Sequence, residues 1–406
     1  MLCLVPFALL TGPFIPDFFI SIIALSFLFI SIKNKLWNYY DNKFFYFFIT
    51  FYIYFLIVSL VSENIIYSLE AVIFYFRFII FSLAVWFLLN NDTNLINKFT
   101  KFLYCTFIIA IIDGYYQFIF GESIFGFIAI ADDRMTLTFN NKMILGGYLS
   151  RMLPFLIALS IITHKKSKTY AALNLALIIA VCTLIPLTGE RTAIGILVLF
   201  LLFSIIFIRS IRHLSFKVMI LSVILFSIVV RLSPSIKERL YYFTDKQMHI
   251  GSSIKNNYIP LYFSINHQNF AHTGLNIYLD NKITGVGPDA FRLYCDDIRY
   301  KSTEKYITCS SHPHNLYIQL ASETGTFGIF FLLVPLFYFF INIISNQIKI
   351  FFNKKLLYDD YQLCMIICFL ITLFPFLPTL NLFNNWISII YFLPCGFFMY
   401  SLNNNN

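Results

Sequence analysis

Ser310-Ser311-His312-Pro313-His314-Asn315-Leu316-Tyr317-Ile318-Gln319-Leu320-Ala321-Ser322-Glu323-Thr324-Gly325-Thr326-Phe327-Gly328 closes the one long hydrophilic segment of the chain and runs directly into the apolar residues 329–344. Two histidines, an amide, a carboxylate and a Gly-x-x-Gly pair at the mouth of a membrane-length run have the makings of a site. The plainer alternative is an ordinary helix start, with a Ser cap, Pro313 in the first turn and small residues for packing. Which side of a membrane this stretch faces decides between them.

Working outward, the 406 residues are 59% hydrophobic and only 12% charged, with mean hydropathy +0.76. A water-soluble fold cannot hide that much apolar surface, so the composition predicts an all-α polytopic membrane protein. Apolar runs at about 2–11, 17–32, 43–61, 66–89, 99–120, 142–163, 169–187, 192–208, 214–232, 325–345, 361–380 and 382–401 predict about twelve helical spans, at ~20 residues per crossing. The first is broken by Gly12-Pro13 and Pro16, and the run from 361 is interrupted by Pro375 and Pro378. The N-terminus lacks a basic region and a small-residue cleavage site, so it reads as a retained first span. The expected layout is membrane helices over 1–232, a loop or cap over 233–313, and membrane helices over 314–402.

Charge sets the orientation. With the N-terminus inside, alternate loops carry Lys33, Lys35, Lys43, Lys98, Lys101, Lys165, Lys166, Lys168, Arg209, Arg212, Lys217, Lys349, Lys354 and Lys355. The short loops on the other side carry only Arg134, Lys142 and Arg191. By the positive-inside rule both termini are cytoplasmic and 233–313 is extracytoplasmic. The net charge of +9 is thereby used in orientation, and no nucleic-acid partner is expected. The outer segment has nine Lys/Arg and seven Asp/Glu, a mixed surface unlike a nucleic-acid patch. Its residues 270–280 have helical apolar spacing, and Gly285-Val286-Gly287-Pro288 reads as a turn. A small, mostly helical cap is the expectation.

Arg134, Arg191, Arg292, His312 and His314 all fall at or beyond the outer boundary. Outer arginines break the orientation bias, and bidentate capture of phosphate supplies a reason for them. The plainer readings are that Arg191 pairs with Glu190 and Arg134 neutralises Asp132 and Asp133. With Pro313 as first helical residue, His314 lies in a first turn, where the helix dipole keeps imidazole neutral and usable as a base. Gly325 and Gly328 would then clear space on the same face, with Glu323 turned away. Cys295 and Cys309 share the oxidising side and are expected to form a disulfide, closing a loop worth ~3 kcal/mol in the chain-entropy view. Within the membrane runs, Glu70 and Arg77 would share a helix face, as would Asp113 and Gln117. No metal-carboxylate cluster, nucleotide loop or nucleophile elbow is present, so neither a metal nor a cofactor is expected.

These residues together resemble the O-antigen ligase superfamily, which includes O-antigen ligases, O-antigen polymerases and protein O-oligosaccharyltransferases. The resemblance spans roughly 100–400. His314-Asn315 followed by Gly325-x-x-Gly328 is similar to the ligases' His-Asn-x9-Gly signature. Thr188-Gly189-Glu190-Arg191 resembles a Thr-Gly-Ser-Arg turn, with Glu190 in place of Ser. Gly285-Val286-Gly287-Pro288-Asp289-Ala290-Phe291 is similar to the Gly-x-Gly-Pro-x-x-Phe turn of the family's large loop.

The resemblance implies a GT-C-like, metal-independent, inverting glycosyltransferase in the bacterial inner membrane, with its active site at the periplasmic face. It would move a glycan from undecaprenyl pyrophosphate to an acceptor hydroxyl in lipopolysaccharide biosynthesis. His314 would be the base. Arg191, with Arg134 and Arg292, would hold the pyrophosphate, and Asn315 and His312 would assist binding. A single dominant outer loop late in the chain favours a ligase, with lipid A–core as acceptor. The alternative is a polymerase joining lipid-linked repeats, because His314-x10-Gly325 also satisfies the polymerase motif. A rival of another class is a lipid or solute transporter working through Glu70, Arg77 and Asp113.

Overall fold

The computed structural model describes residues 1–128, 135, 144–163, 168–232, 234–238, 242, 245, 263–303 and 307–403. Among them the chain is helical, with no β-strand beyond one isolated bridge between Glu122 and Ile128. The longer helices are α1 (Phe14–Lys33), α2 (Lys43–Val61), α3 (Ile65–Val72), α4 (Arg77–Asn91), α5 (Leu95–Phe120), α6 (Leu145–Thr163), α7 (Lys168–Thr188), α8 (Arg191–Phe207), α9 (Arg212–Leu232), α10 (Ile265–Asp280), α11 (Leu316–Phe351), α12 (Asp360–Thr372) and α13 (Asn385–Asn403).

Among the described residues, eight helices are long and apolar enough to cross a membrane, α3 and α4 counting as one. Arg191–Phe207 and Asp360–Thr372 are apolar but shorter. The difference from about twelve has local causes. The first run folds as a 3-10 turn, Leu2–Leu4, and a four-residue helix, Val5–Ala8, far short of a crossing at 1.5 Å per residue. The run from 361 ends as a helix at Thr372, ahead of Pro375 and Pro378, as expected where proline removes a backbone donor and constrains its predecessor.

Two helices form the dry centre. In α6 every residue from Leu145 to Ser160 is buried, and in α12 every residue from Tyr361 to Ile371. They pack on each other, and α6 also contacts α5, α7 and α8. A second seam joins α4 to α13 and α1. Where helices meet without water between them, close packing and satisfied polar groups hold them together. Gly396 illustrates the first: a Cβ there would lie 2.5 Å from both the Ser82 carbonyl and the Val85 side chain.

The run expected as one helix over 66–89 is two, because 73–76 turn with Tyr75 N–H bonded to the Val72 carbonyl and Arg77 N–H to that of Phe74. Among the described residues, Glu70 and Arg77 line one cavity across the turn and make no ion pair with each other. Arg77 instead binds Asp17 of α1 at 2.8 Å. Asp113 and Gln117 do act together: Asp113 accepts from Ile124 N–H at 2.6 Å and Gln117 donates to the Phe127 carbonyl at 3.1 Å. They tie down the loop after α5, a structural role.

The element that positions the site is α11. Gly325 sits inside it with φ 71° and ψ −170°, a break between two helical segments. The break frees backbone groups that the 283–287 loop takes up. Val286 and Gly287 N–H donate to the Ser322 and Glu323 carbonyls at 3.0 and 2.9 Å, and Thr326 N–H donates to the Lys282 carbonyl at 2.8 Å. A Cβ on Gly285 would lie 2.3 Å from the Glu323 carbonyl carbon. The two glycine motifs of the sequence are therefore one joint. This corrects the expectation that Gly325 leaves open space on the His314 face. Gly328 packs against Thr324, whose Oγ1 would meet any Cβ there.

Candidate active site

Glu323 secures the joint from inside. It is fully buried and accepts from Asp289 N–H at 3.1 Å, Phe291 N–H at 3.2 Å and Gln319 Nε2 at 3.0 Å. The same Gln319 donates to Asn381 Oδ1 at 2.7 Å and accepts from Leu382 N–H at 3.0 Å. The segment after α12 is thus sewn to α11 and to the Gly285–Asp289 turn. As expected from the sequence, Glu323 is not a partner of His314; its carboxylate organises the loop that carries Asp289 and Arg292.

Pro313 and His314 are not helical. The helix begins at Leu316, and Asn315 is its N-cap, its side chain accepting from Tyr317 and Ile318 N–H at 2.9 and 3.1 Å. Its Nδ2 donates to the Pro375 carbonyl at 2.9 Å. These bonds give Asn315 a structural task, in the manner of any Asn cap. His314 has φ 56°, a left-handed conformation uncommon for a residue with a side chain and found where the surroundings impose it. Its carbonyl accepts from Thr379 N–H at 2.9 Å.

His312 is buried and holds the same residue from the other side. Its Nε2 lies 3.0 Å from the Thr379 carbonyl and its Nδ1 2.9 Å from Ser311 Oγ. A carbonyl only accepts, so Nε2 carries the proton and Nδ1 accepts from the serine. Burial, then the neighbouring His314, push its pKa down to about 3. It is a neutral clamp.

His314 is half-buried, with Nε2 3.1 Å from Ser310 Oγ. Its ring centroid is 4.1 Å from that of His312, 5.2 Å from that of His267 and 5.5 Å from that of Phe270. Burial lowers its pKa from the usual histidine value. The neutrality expected from a helix dipole therefore has another cause: desolvation among rings, since His314 precedes the helix.

His267 is the site residue that sequence reasoning missed. It sits in the first turn of α10, where Ser264 is the N-cap, and its Nδ1 is 2.7 Å from Ser264 Oγ. Burial first, then His314 and Arg191, bring its pKa down to about 4. The available signal was a serine three residues before a histidine flanked by Phe263 and Phe270, a capped helix start. The apolar spacing read from 270 onward began too late to include it.

Arg191 opens α8, with Glu190 as N-cap. Both Glu190 carboxylate oxygens reach the first turn of α6, accepting from Gly146 and Gly147 N–H at 2.8 and 2.9 Å. The guanidinium of Arg191 lies over the Phe263 ring, 4.9 Å from its centroid. Phe263 in turn is 5.3 Å from His267. Arg191, Phe263, His267 and His314 thus form a continuous line of neighbours. Arg292 is elsewhere: it pairs with Asp289 at 3.1 Å. Arg134 lies outside the described residues. Cys295 and Cys309 are disulfide-bonded, with Cα atoms 4.9 Å apart, which ties the one-turn helix Phe291–Tyr294 to the approach to His314. Among the described residues no group of three or more His, Cys, Asp or Glu is placed to hold a metal ion.

The arrangement offers a neutral imidazole, a nearby cation and a helix N-terminus favouring negative charge. Residues 175–333 match the family model described as O-antigen ligase, and no curated protein matches the chain. That interval holds Arg191, His267, both glycine motifs and His314. The matched interval, under half of the chain, is similar to the O-antigen ligase family, in agreement with the likeness that the motifs display.

Proposed function

We propose that this protein transfers a glycan from undecaprenyl pyrophosphate to an acceptor hydroxyl at the periplasmic face of the bacterial inner membrane, as an O-antigen ligase with lipid A–core as acceptor. The observation that carries the reading is the His314 imidazole, kept neutral by burial and set in line with Arg191 inside the matched interval. His314 takes the proton of the acceptor hydroxyl as its oxygen attacks the anomeric carbon. The bond from that carbon to the pyrophosphate oxygen breaks, and the electron pair leaves with the carrier. Arg191 and the N-terminus of α8 stabilise the departing charge, with Arg134 as a second cation in this reading. Attack from the face opposite the leaving group inverts the anomeric centre. Arg292, engaged by Asp289, is left out of this step.

Deleting the gene and resolving the lipopolysaccharide on a gel tests the assignment. A missing ligase leaves bare core, with long polymer on the carrier lipid. A missing polymerase leaves core bearing one repeat. Restoration of a wild-type pattern by a His314→Ala copy would refute the catalytic reading.

A further inference from the structure

A cavity of about 760 Å³ is lined by Asp17 and Ser21 of α1, Tyr67, Glu70 and Ala71 of α3, Arg77, Asp289, Arg292 and the amides of Asn381, Asn384 and Asn385. It is large enough for a ligand of drug size, within the usual range for binding clefts. The 373–384 segment touches both places: Thr379 holds His312 and His314, and Asn381, two residues on, is in the cavity wall.

The charge of the lining is informative. Both guanidinium groups are already engaged, Arg77 by Asp17 at 2.8 Å and Arg292 by Asp289 at 3.1 Å. Glu70 adds a third carboxylate that makes no ion pair among the described residues. Three acids against two bases repel a phosphate. Planar carboxylate, amide and guanidinium groups beside a tyrosine instead suit a polyhydroxyl ligand, which both donates and accepts at each hydroxyl. The rim is apolar and outward-facing: Leu25 and Phe74 line the cavity and are 60% and 62% exposed. A ligand with a lipid tail can therefore enter from the bilayer with its head inside.

We propose that this cavity binds an unphosphorylated sugar unit of a membrane glycolipid and is the acceptor-side subsite of the transferase; the acceptor role rests on the function proposed above. The donor's pyrophosphate then belongs to the Arg191 side and the acceptor's sugar to the Glu70 side.

The test uses the full chain in lipid nanodiscs doped with digalactosyldiacylglycerol or phosphatidic acid, with retained lipid counted by native mass spectrometry. The expected result is at least a tenfold preference for the galactolipid, lost in Ala71→Trp and in Ser21→Trp, which fill the cavity from two different helices, and kept in His314→Ala. Equal or greater retention of phosphatidic acid, or unchanged preference in a folded tryptophan variant, overturns the proposal. Full competition by free digalactose at the concentration of the lipid overturns the lipid-borne part. Binding is read without turnover, so a His314→Ala copy that restores the glycan would sink the transferase reading while leaving the sugar site standing.

Discussion

The carbonyl of Ile283 sits where a side chain on Gly325 would begin: a Cβ there would lie 2.1 Å from that oxygen. Gly325 also has φ 71°, a region where a side chain costs on the order of 1–3 kcal/mol. Gly325→Ala is expected to destabilise the protein by at least that amount, because either the break straightens or the 283–287 loop lifts off. Thermal unfolding in detergent measures it. An unchanged midpoint would mean that the joint is not rigid.

His314→Ala should insert normally and lose about 10²–10⁴-fold in turnover, the usual share of a general base. In the wild type the base must be neutral to work, and burial moves its pKa below the ordinary 6.5. The rate should therefore be level at neutral pH and fall only as pH drops through a value below 6.5. An acid limb centred at or above 6.5 contradicts this assignment.

His312 is expected to behave differently from its neighbour. His312→Ala leaves the buried Thr379 carbonyl without its donor, a loss of about 1–3 kcal/mol, and by opening the ring cluster it should let the acid limb of the surviving folded fraction move up towards the ordinary histidine value. His312→Gln, which can donate from its amide, should recover part of the stability. A loss of turnover in the folded His312→Gln protein as large as that of His314→Ala would assign His312 to the chemistry instead.

Acid should weaken the region around His267 and His312 in a defined window. His267 and His312 have folded pKa values of about 4 and about 3, against 6.5 for a free histidine. Between these limits the unfolded chain binds more protons, so stability rises with pH. The contribution is intact above pH 6.5 and is lost as pH falls from there towards 3–4. Unfolding midpoints between pH 4 and 7.5 read the slope, and His267→Asn should flatten it.

Reduction should loosen the approach to His314. The Cys295–Cys309 bridge closes a short loop, worth ~3 kcal/mol in the chain-entropy view. Cys309→Ser is expected to raise hydrogen exchange across 291–315 while α6 and α12 stay protected. Equal exchange in both proteins would mean that Glu323 alone holds the loop.

Much of this site was legible because its parts are local. The His312-Pro313-His314-Asn315 run, the two glycine motifs and the cysteine pair can be read from neighbouring residues. Other features were not. The helix phase placed His314 inside α11, but Asn315 is the cap, and the choice between Pro313 and Asn315 as the helix start depends on Pro375 and Thr379 pulling on the turn. Arg77 was matched by spacing to Glu70, yet it found Asp17 on another helix.

The sequence by itself determined that the chain is helical and built for a membrane, since apolar runs of that length satisfy their backbone only within a helix. It also determined which polar residues stand beside which along the chain. Only the tertiary structure decided that His267 lies against His314, that Arg191 reaches the same cluster through Phe263, and that α11 breaks at Gly325. A helix gives up backbone hydrogen bonds only where another segment replaces them, and here that segment is the 282–287 loop, folded back from elsewhere in the chain.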